Sequence, residues 1–298
     1  MLKVIIIIVV ILALILFGFS LWMAGYIMAM GIRQTLQEAM DWQKAHYDVS
    51  FYEGLEKTDY TVEGHEGYIL HVQFLKNPTP TDKYMILTHG YTDNRNGCLK
   101  YVKMYLDLGY NCIIYDIRGH GLNEKACTTY GILEAKDLIK LIEDTRSRYG
   151  NIARLGLHGE SLGSGTTITA LKYKPQVDFV VEDCGFSDIE NVLRKAYRDI
   201  GAPEFVFDIA NFGAKVRYHM ALKDMRPIDS LDDNNIPILF IHGGNDELIV
   251  PRNAQDMYDR TRGKKDIHII EGAPHAESIL TDPEGYRTYV ESYLNGLD

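Results

Sequence analysis

The sequence predicts an α/β chain built on a mostly parallel, doubly wound sheet. Three observations carry that expectation. Short apolar runs, each closed by Gly or Asp, recur at Tyr84–Thr88, Asn111–Tyr115, Arg154–His158, Val177–Glu182, Pro237–Ile241 and Asp266–Ile270. Continuous runs of this kind suit strands buried on both faces. Helical patterns separate them. In the clearest, Ala135, Leu138, Ile139 and Ile142 recur at i, i+3, i+4 and i+7 with charges on the opposite face. Strands alternating with helices imply βαβ units, whose crossovers are right-handed.

The elements follow in order along the chain. Val4 to Met30 carries no charged residue, and twenty or so apolar residues suffice to cross a bilayer as a helix. The stretch is too long for a cleaved signal peptide, and the Ala24-Gly25 region lacks a convincing cleavage site. Trp22 and Tyr26 suit the interfacial aromatic belt. The segment therefore reads as an uncleaved anchor, with a signal peptide and a buried core helix as alternatives. Lys3 precedes the span and Arg33 follows it; the reading adopted puts the amino terminus inside and the domain on the extracytoplasmic side of the cell membrane. Residues 31–57 carry Ile32, Leu36, Ala39, Met40 and Trp42 at helical spacing and read as a juxtamembrane helical stalk. The globular domain is expected over 58–298. It opens with a hairpin, Asp59–Val62 and Tyr68–Phe74, around a Gly-His-Glu-Gly turn. More than fifty residues separate the strand ending at Glu182 from the one opening at Pro237. They are rich in aromatics (Phe186, Tyr197, Phe205, Phe207, Phe212, Tyr218) and read as a helical cap inserted at about 185–230. Two ordinary sheet-covering helices are the alternative.

Composition excludes some functions. Lys and Arg number 31 against 41 Asp and Glu, a formal charge of −10, which argues against nucleic acid as a partner. Cys98, Cys112, Cys127 and Cys184 are scattered, with no Cys-x-x-Cys pair, so neither a metal site nor a redox motif is expected.

The chemistry concentrates in Gly159-Glu160-Ser161-Leu162-Gly163. This run follows an apolar strand and precedes the helical Thr166–Leu171 stretch, the strand–turn–helix context that a nucleophile elbow requires. Such a turn is tight enough that side chains at the two glycines would collide with their neighbours. A serine hydroxyl needs a base to take its proton and a carboxylate to orient the base. In this architecture the order along the chain is Ser, then acid, then His. Asp246, at the tip of the turn after Ile238–Ile241, and His275, just past the last strand, supply both. Glu247 and Asp183 are rival acids. Backbone N–H groups of Leu162 and Tyr91 are the expected oxyanion donors, the second from the loop after Met85–Thr88. The Tyr91 phenol is a candidate for the acyl pocket. His89, His158 and His242 end strands before a Gly and read as loop braces; His46 and His268 do not suit the base.

These motifs, with His89-Gly90-Tyr91, Asp116-Ile117-Arg118-Gly119-His120-Gly121, His242-Gly243-Gly244-Asn245-Asp246 and Pro274-His275, occur in the order seen in the α/β-hydrolase superfamily. From Thr58 onward the chain resembles its serine-hydrolase branch, near the monoglyceride lipase and serine aminopeptidase-like proteins. The anchored arrangement is similar to bacterial members. The resemblance implies an α/β-hydrolase fold with a cap and a structural rather than catalytic role for Asp116 and Arg118. The expected reaction is hydrolysis of a small-molecule carboxylic ester through an acyl-Ser161 intermediate, for which the triad and oxyanion hole suffice without cofactor or metal; the acyl group is short or, given an aromatic-rich cap beside a membrane, lipid-like. A peptidase or amidase of the same fold, with Glu182 or Asp183 holding the substrate amine, is an alternative. A catalytically silent binding module is another, although such proteins typically lose a triad residue and here none is missing.

Overall fold

A computed structural model describes residues 1–29 and 33–297. Met30, where the expected anchor ends, Gly31 and Ile32 of the expected stalk, and Asp298 lie outside the described residues. The hairpin and the six apolar runs of the sequence form the eight strands. In chain order the elements are α1 (Leu2–Ala29), α2 (Leu36–His46), β1 (Lys57–Glu63), β2 (Ile69–Leu75), β3 (Lys83–Thr88), α3 (Leu99–Asp107) and β4 (Asn111–Tyr115). Next come α4 (Ile132–Tyr149), β5 (Arg154–Glu160), α5 (Leu162–Ala170), β6 (Phe179–Asp183), α6 (Ile189–Asp199) and α7 (Phe205–Tyr218). The chain closes with β7 (Ile238–Gly243), α8 (Arg252–Arg260), β8 (Lys265–Ile270), α9 (Ser278–Thr281) and α10 (Pro283–Asn295).

These elements divide into two compact units. The larger holds the sheet and most of the helices. Its strand order is β1-β2-β4-β3-β5-β6-β7-β8. The first two pairings, β1–β2 and β2–β4, are antiparallel, and every later one is parallel. Alternation of side chains along a strand sorts the core into two layers. Met85, Leu87, Cys112, Ile114, Phe179, Val181, Leu239 and Ile241 join one cluster, with residues of α3 and α10. Tyr84, Ile86, Ile113, Tyr115, Val180, Ile238 and Phe240 join the other, with residues of α4, α5 and α8. The α4 face predicted from spacing is the one that packs: Ala135, Leu138 and Ile142 are buried, together with Leu141. Helix α2, the segment read as a stalk, belongs to this unit and starts in a capping box. The Thr35 hydroxyl accepts from the Glu38 N–H, and the Glu38 carboxylate accepts from the Thr35 N–H.

The smaller unit holds α1, α6 and α7. Helix α1 is long and apolar enough to cross a membrane, with mean hydropathy 3.4 over its best window. Residues 1–19 are exposed, while Ser20, Met23, Ala24, Ile27 and Met28 are buried. Their cover includes α7, whose buried residues Phe207, Ala210, Gly213 and Ala214 are mostly small. A Cβ on Gly213 would overlap the Ser20 carbonyl, so only glycine permits this helix–helix approach.

The loop after β4 is structural, as the resemblance implied. Asp116 accepts from the backbone N–H groups of Arg95 and Leu122. The Arg118 guanidinium forks onto Asp137 of α4 through two 2.7 Å hydrogen bonds, with both side chains largely buried. Removing one member of a buried pair strands the other's charge. Asp137→Ala should therefore cost about 3–5 kcal/mol in chemical denaturation, while the folded fraction keeps its reactivity towards serine-directed probes.

Candidate active site

Strand β5 ends at Glu160, and α5 begins at Leu162, which leaves a single residue to make the turn. Ser161 makes it at φ 53°, ψ −111°, a region that L-residues rarely occupy. The Ser161 N–H donates to Asp183 O (2.9 Å) and its carbonyl accepts from Gly165 N–H (3.0 Å). The flanking glycines are required on steric grounds. A Cβ on Gly159 would overlap the Gly163 carbonyl, and one on Gly163 would overlap the Thr88 carbonyl at the end of β3.

Two loops from neighbouring parallel strands meet this serine. His242-Gly243 ends β7, and Asp246 follows in a turn whose N–H groups at Leu248 and Ile249 donate to its Oδ1 (3.0 and 2.8 Å). His275 follows β8. Its Nδ1 lies 2.7 Å from Asp246 Oδ2, and its Nε2 lies 2.9 Å from Ser161 Oγ. Burial alone would raise the Asp246 pKa. Hydrogen bonds from His242 and His275 outweigh that and hold the carboxyl at about 2. An ionised Asp246 can only accept, so His275 donates through Nδ1, and Nε2 is left to accept the serine proton. The arrangement can take a proton from Ser161 and keep the resulting imidazolium beside a fixed negative charge.

The site opens into a cavity of about 180 Å³. Ser161 and His275 line it, as does Tyr91 from the loop after β3. The Tyr91 ring stacks on Tyr130 with centroids 6.2 Å apart. Leu162 is buried as the first residue of α5, and its position in the first turn keeps its N–H outside the helical hydrogen-bond ladder.

Some expectations are corrected. Glu182 and Asp183 do not border the cavity and cannot hold a substrate amine there. Glu182 accepts from Ser164 Oγ (2.7 Å) and Gly185 N–H (2.6 Å), and Asp183 accepts from the hydroxyls of Tyr101 (3.0 Å) and Tyr286 (2.9 Å). Both are fully buried, which pushes Glu182 up to about 7 and Asp183 up to about 6. The same tyrosines remove Asp183 as a rival to Asp246, and Glu247 is exposed. The braces are where the pattern put them: His89 Nδ1 donates to Gly90 O (2.8 Å), its Nε2 accepts from Ile117 N–H (2.9 Å), and His158 pairs with the Tyr105 hydroxyl (2.9 Å).

Other residues at the site were not placed there by the sequence pattern, which read His242 as a loop brace and Trp42 as part of a stalk. His242 backs Asp246 at 3.3 Å. Gln34, Trp42 and Gln43, in and just before α2, line the cavity, and Gln43 Oε1 is buried with no hydrogen-bond partner among the described residues. Lys100 on α3 also lines it, paired with Glu160 and donating to Ala276 O (3.1 Å). Burial alone would lower the Lys100 pKa, but Glu160 and its neighbours carry it upward. Asp93, on the cavity wall, is pushed up to about 7 by burial.

Cys184, Asp246 and His275 each place a potential ligand atom within 4.8 Å of the others. Burial pushes the Cys184 thiol far up, so it stays protonated, and a protonated thiol is a poor ligand. Asp246 and His275 are already committed to each other.

Comparison with known proteins places this geometry. The prolyl oligopeptidase family model matches residues 99–278. The protein YqkD of Bacillus subtilis (strain 168) is 32% identical over 256 residues, covering 83% of this chain and 82% of its own. Alpha/beta hydrolase domain-containing protein 17C of Xenopus tropicalis is 26% identical over 264 residues, covering 86% of this chain and 73% of its own. Among solved structures, the esterase Pf2001 of Pyrococcus furiosus superposes with TM-score 0.66 at 23% identity, over 84% of this chain and 94% of its own. The esterase EaEST of Exiguobacterium antarcticum gives 0.60 at 17% identity, over 80% and 100%. The chain belongs to the prolyl oligopeptidase family, within the α/β-hydrolase superfamily, and is a serine hydrolase.

Proposed function

We propose that this enzyme hydrolyses a carboxylic ester through an acyl-Ser161 intermediate, with His275 as the base and Asp246 as its orienting partner. The observation that carries the reading is the continuous hydrogen-bonded chain from Asp246 through His275 to a serine held at a strained elbow. As Ser161 Oγ attacks the ester carbonyl, its proton passes to His275 Nε2, and the N–H groups of Leu162 and Tyr91 receive the oxyanion. His275 then protonates the leaving alcohol. Water, activated by the same imidazole, releases the acid. The cavity is small, and Gln34, Asp93 and Lys100 share its wall with Trp42 and Tyr91, which suits a short acyl group. The esterases among the structural relatives agree with an ester substrate.

Helix α1 anchors the enzyme in a membrane in this reading, with the catalytic domain on the extracytoplasmic side. Arg33, just past α1, is committed to the folded domain by hydrogen bonds to Gly119 O and Thr128 Oγ1 (2.9 Å). Lys3 and the amino terminus lie on one side of the span and Arg33 on the other, and this reading keeps the amino terminus inside. A membrane-impermeant amine reagent should label the domain on intact cells; labelling only after lysis reverses the orientation.

A peptidase or amidase is the second reading, favoured by the name of the matched family. Turnover of p-nitrophenyl acetate and butyrate should exceed that of p-nitrophenyl laurate and of amino-acid p-nitroanilides. Faster amide turnover overturns the ester assignment, and a laurate preference overturns the short-acyl one. Ser161→Ala should abolish fluorophosphonate labelling with its melting temperature retained. Asp246→Asn should lower kcat by about 10⁴-fold, since the amide holds the wrong imidazole tautomer.

A further inference from the structure

The smaller unit carries an apolar surface that the chemistry at Ser161 does not use. On α7, Phe205, Ile209, Phe212 and Val216 recur at i, i+4, i+7 and i+11, which places them on one face. Phe205, Phe212 and Val216 are exposed and Ile209 half-exposed, while the neighbouring face of the helix, with Ala210, Gly213 and Ala214, is buried. Ile200, at the end of α6, is 77% exposed, and Phe205, which follows it across a short loop, is 60% exposed. Large apolar groups this open in contiguous array mark a surface that something covers.

The geometry of α1 says what covers it. Residues 2–19 are all exposed, and Phe17 near their end is the first to meet α7. At 1.5 Å per residue these eighteen residues reach about 27 Å, close to the ~30 Å of a bilayer's hydrocarbon core. From Ser20 onward one side of α1 is covered. The level of the bilayer surface therefore falls near the start of the covered segment, where Phe19 and Trp22 stack with centroids 5.8 Å apart and Tyr26 follows. Three pairings fix the direction of α7 against α1. The Phe17 ring lies 6.4 Å from that of Phe212, Gly213 packs on Ser20, and Arg217 lies against Gly25 and donates to Leu21 O (3.1 Å). The numbers rise together, so the two helices run in the same sense. The amino-terminal end of α7, with Phe205 and the loop from Ile200, is thus directed towards the uncovered span. Lys215 and Arg217 lie at the other end, where phosphates would be.

Charges at the apolar end are internally matched. Arg194 pairs with Glu190 and Asp208 (both 2.8 Å), Lys195 with Asp199 (2.6 Å), and Arg198 with Glu204 (3.2 Å). Pairing lowers the cost of bringing this end against lipid.

We propose that the α6–α7 tip, through Ile200, Phe205, Ile209 and Phe212, inserts into the same phospholipid bilayer that α1 spans, which makes the insertion a membrane-docked element. This rests on the anchor reading of α1, and one experiment separates the two. The full chain is reconstituted in phosphatidylcholine–phosphatidylglycerol vesicles with or without lipids brominated on the acyl chains, as wild type and as Phe205→Trp. In wild type, quenching of Trp22 reports the anchor, and Trp42 supplies the background that Trp42→Phe removes. The added indole of Phe205→Trp is expected to lose emission to the brominated lipids to a degree comparable with Trp22, and to resist aqueous iodide. Quenching at Trp22 with the added indole open to iodide overturns the docking and leaves the anchor intact. Loss of quenching at both sites overturns the anchor as well. Shielding of the added indole that follows protein density rather than brominated lipid assigns the face to a second copy, and it too overturns the proposal.

Discussion

Ser161 is held in a backbone conformation that costs about 1–3 kcal/mol, and the middle of the sheet is arranged to keep it there. Strand β5 lies between β3 and β6, with Thr88 opposite Gly159 and Asp183 opposite Glu160. The Thr88 carbonyl occupies the space a side chain at position 163 would need, and the Asp183 carbonyl receives the Ser161 N–H. The partners of the serine depend on the same sheet. Asp246 follows β7, which pairs with β6, and His275 follows β8, which pairs with β7. A slip of one residue in any of these pairings would turn a strand's side chains to the opposite face and move its closing loop. The hydrogen-bonded chain from Asp246 to Ser161 thus inherits its geometry from the register of four parallel strands.

Beside the elbow a set of polar contacts ties the loops of the site to the sheet. Glu160, the residue before the serine, accepts from the Tyr101 hydroxyl (2.5 Å) and pairs with Lys100. Lys100 also donates to the carbonyl of Ala276, next to His275, and Ala276 itself has a positive φ of 61°. The loop that carries His275 is therefore clamped to the turn that carries Ser161 through one buried cation. Buried charges of this kind are a poor source of net stability, because desolvation offsets most of their attraction. Their contribution here is positional. Asp183, sharing Tyr101 with Glu160, is raised to about 6 chiefly by burial. That raised pKa makes its ionised form costly to the fold, a cost fully present above pH 6 and relieved as pH falls towards the ordinary carboxylate range. Asp246 has the opposite sign: its lowered pKa adds stability at neutral pH that is lost only as pH falls from near 4 towards 2.

Much of this was legible in the sequence because it is written locally. Six strands could be read from apolar runs and two from the hairpin pattern, and Ser161, Asp246 and His275 from their order and from the Gly-rich turns at strand ends. Lys100 could not. In Leu99–Asp107 it sits among alternating apolar and charged residues, where it reads like the exposed Lys103, and its partner lies sixty positions away. Glu182 and Asp183 misled for the converse reason. Two acids at a strand end read as near the cap entrance, and hydrogen bonds from Ser164, Gly185, Tyr101 and Tyr286 make them tolerable inside. Helix α2 read as a stalk because its spacing is amphipathic, and spacing does not say what the apolar face meets.

The least legible feature is the partnership of α1 with α7, since it joins segments about 190 positions apart. The aromatic richness of the insertion was visible, but which rings face inward depends on α1. Phe207 is buried while Phe205 and Phe212 are open, and nothing within α7 alone distinguishes them. What selects the face is the small-residue seam. Ala210, Gly213 and Ala214 meet a stretch of α1 that includes Ser20 and Ala24, so backbones rather than long side chains come together. That mode of packing relies on close van der Waals contact and not on expelling water, so it works at a membrane boundary, where lipid removes the usual hydrophobic drive. The last three turns of α1 are consequently part of the folded insertion rather than a tether ahead of it. Without them α7 would keep its small residues and lose the surface they were shaped to meet.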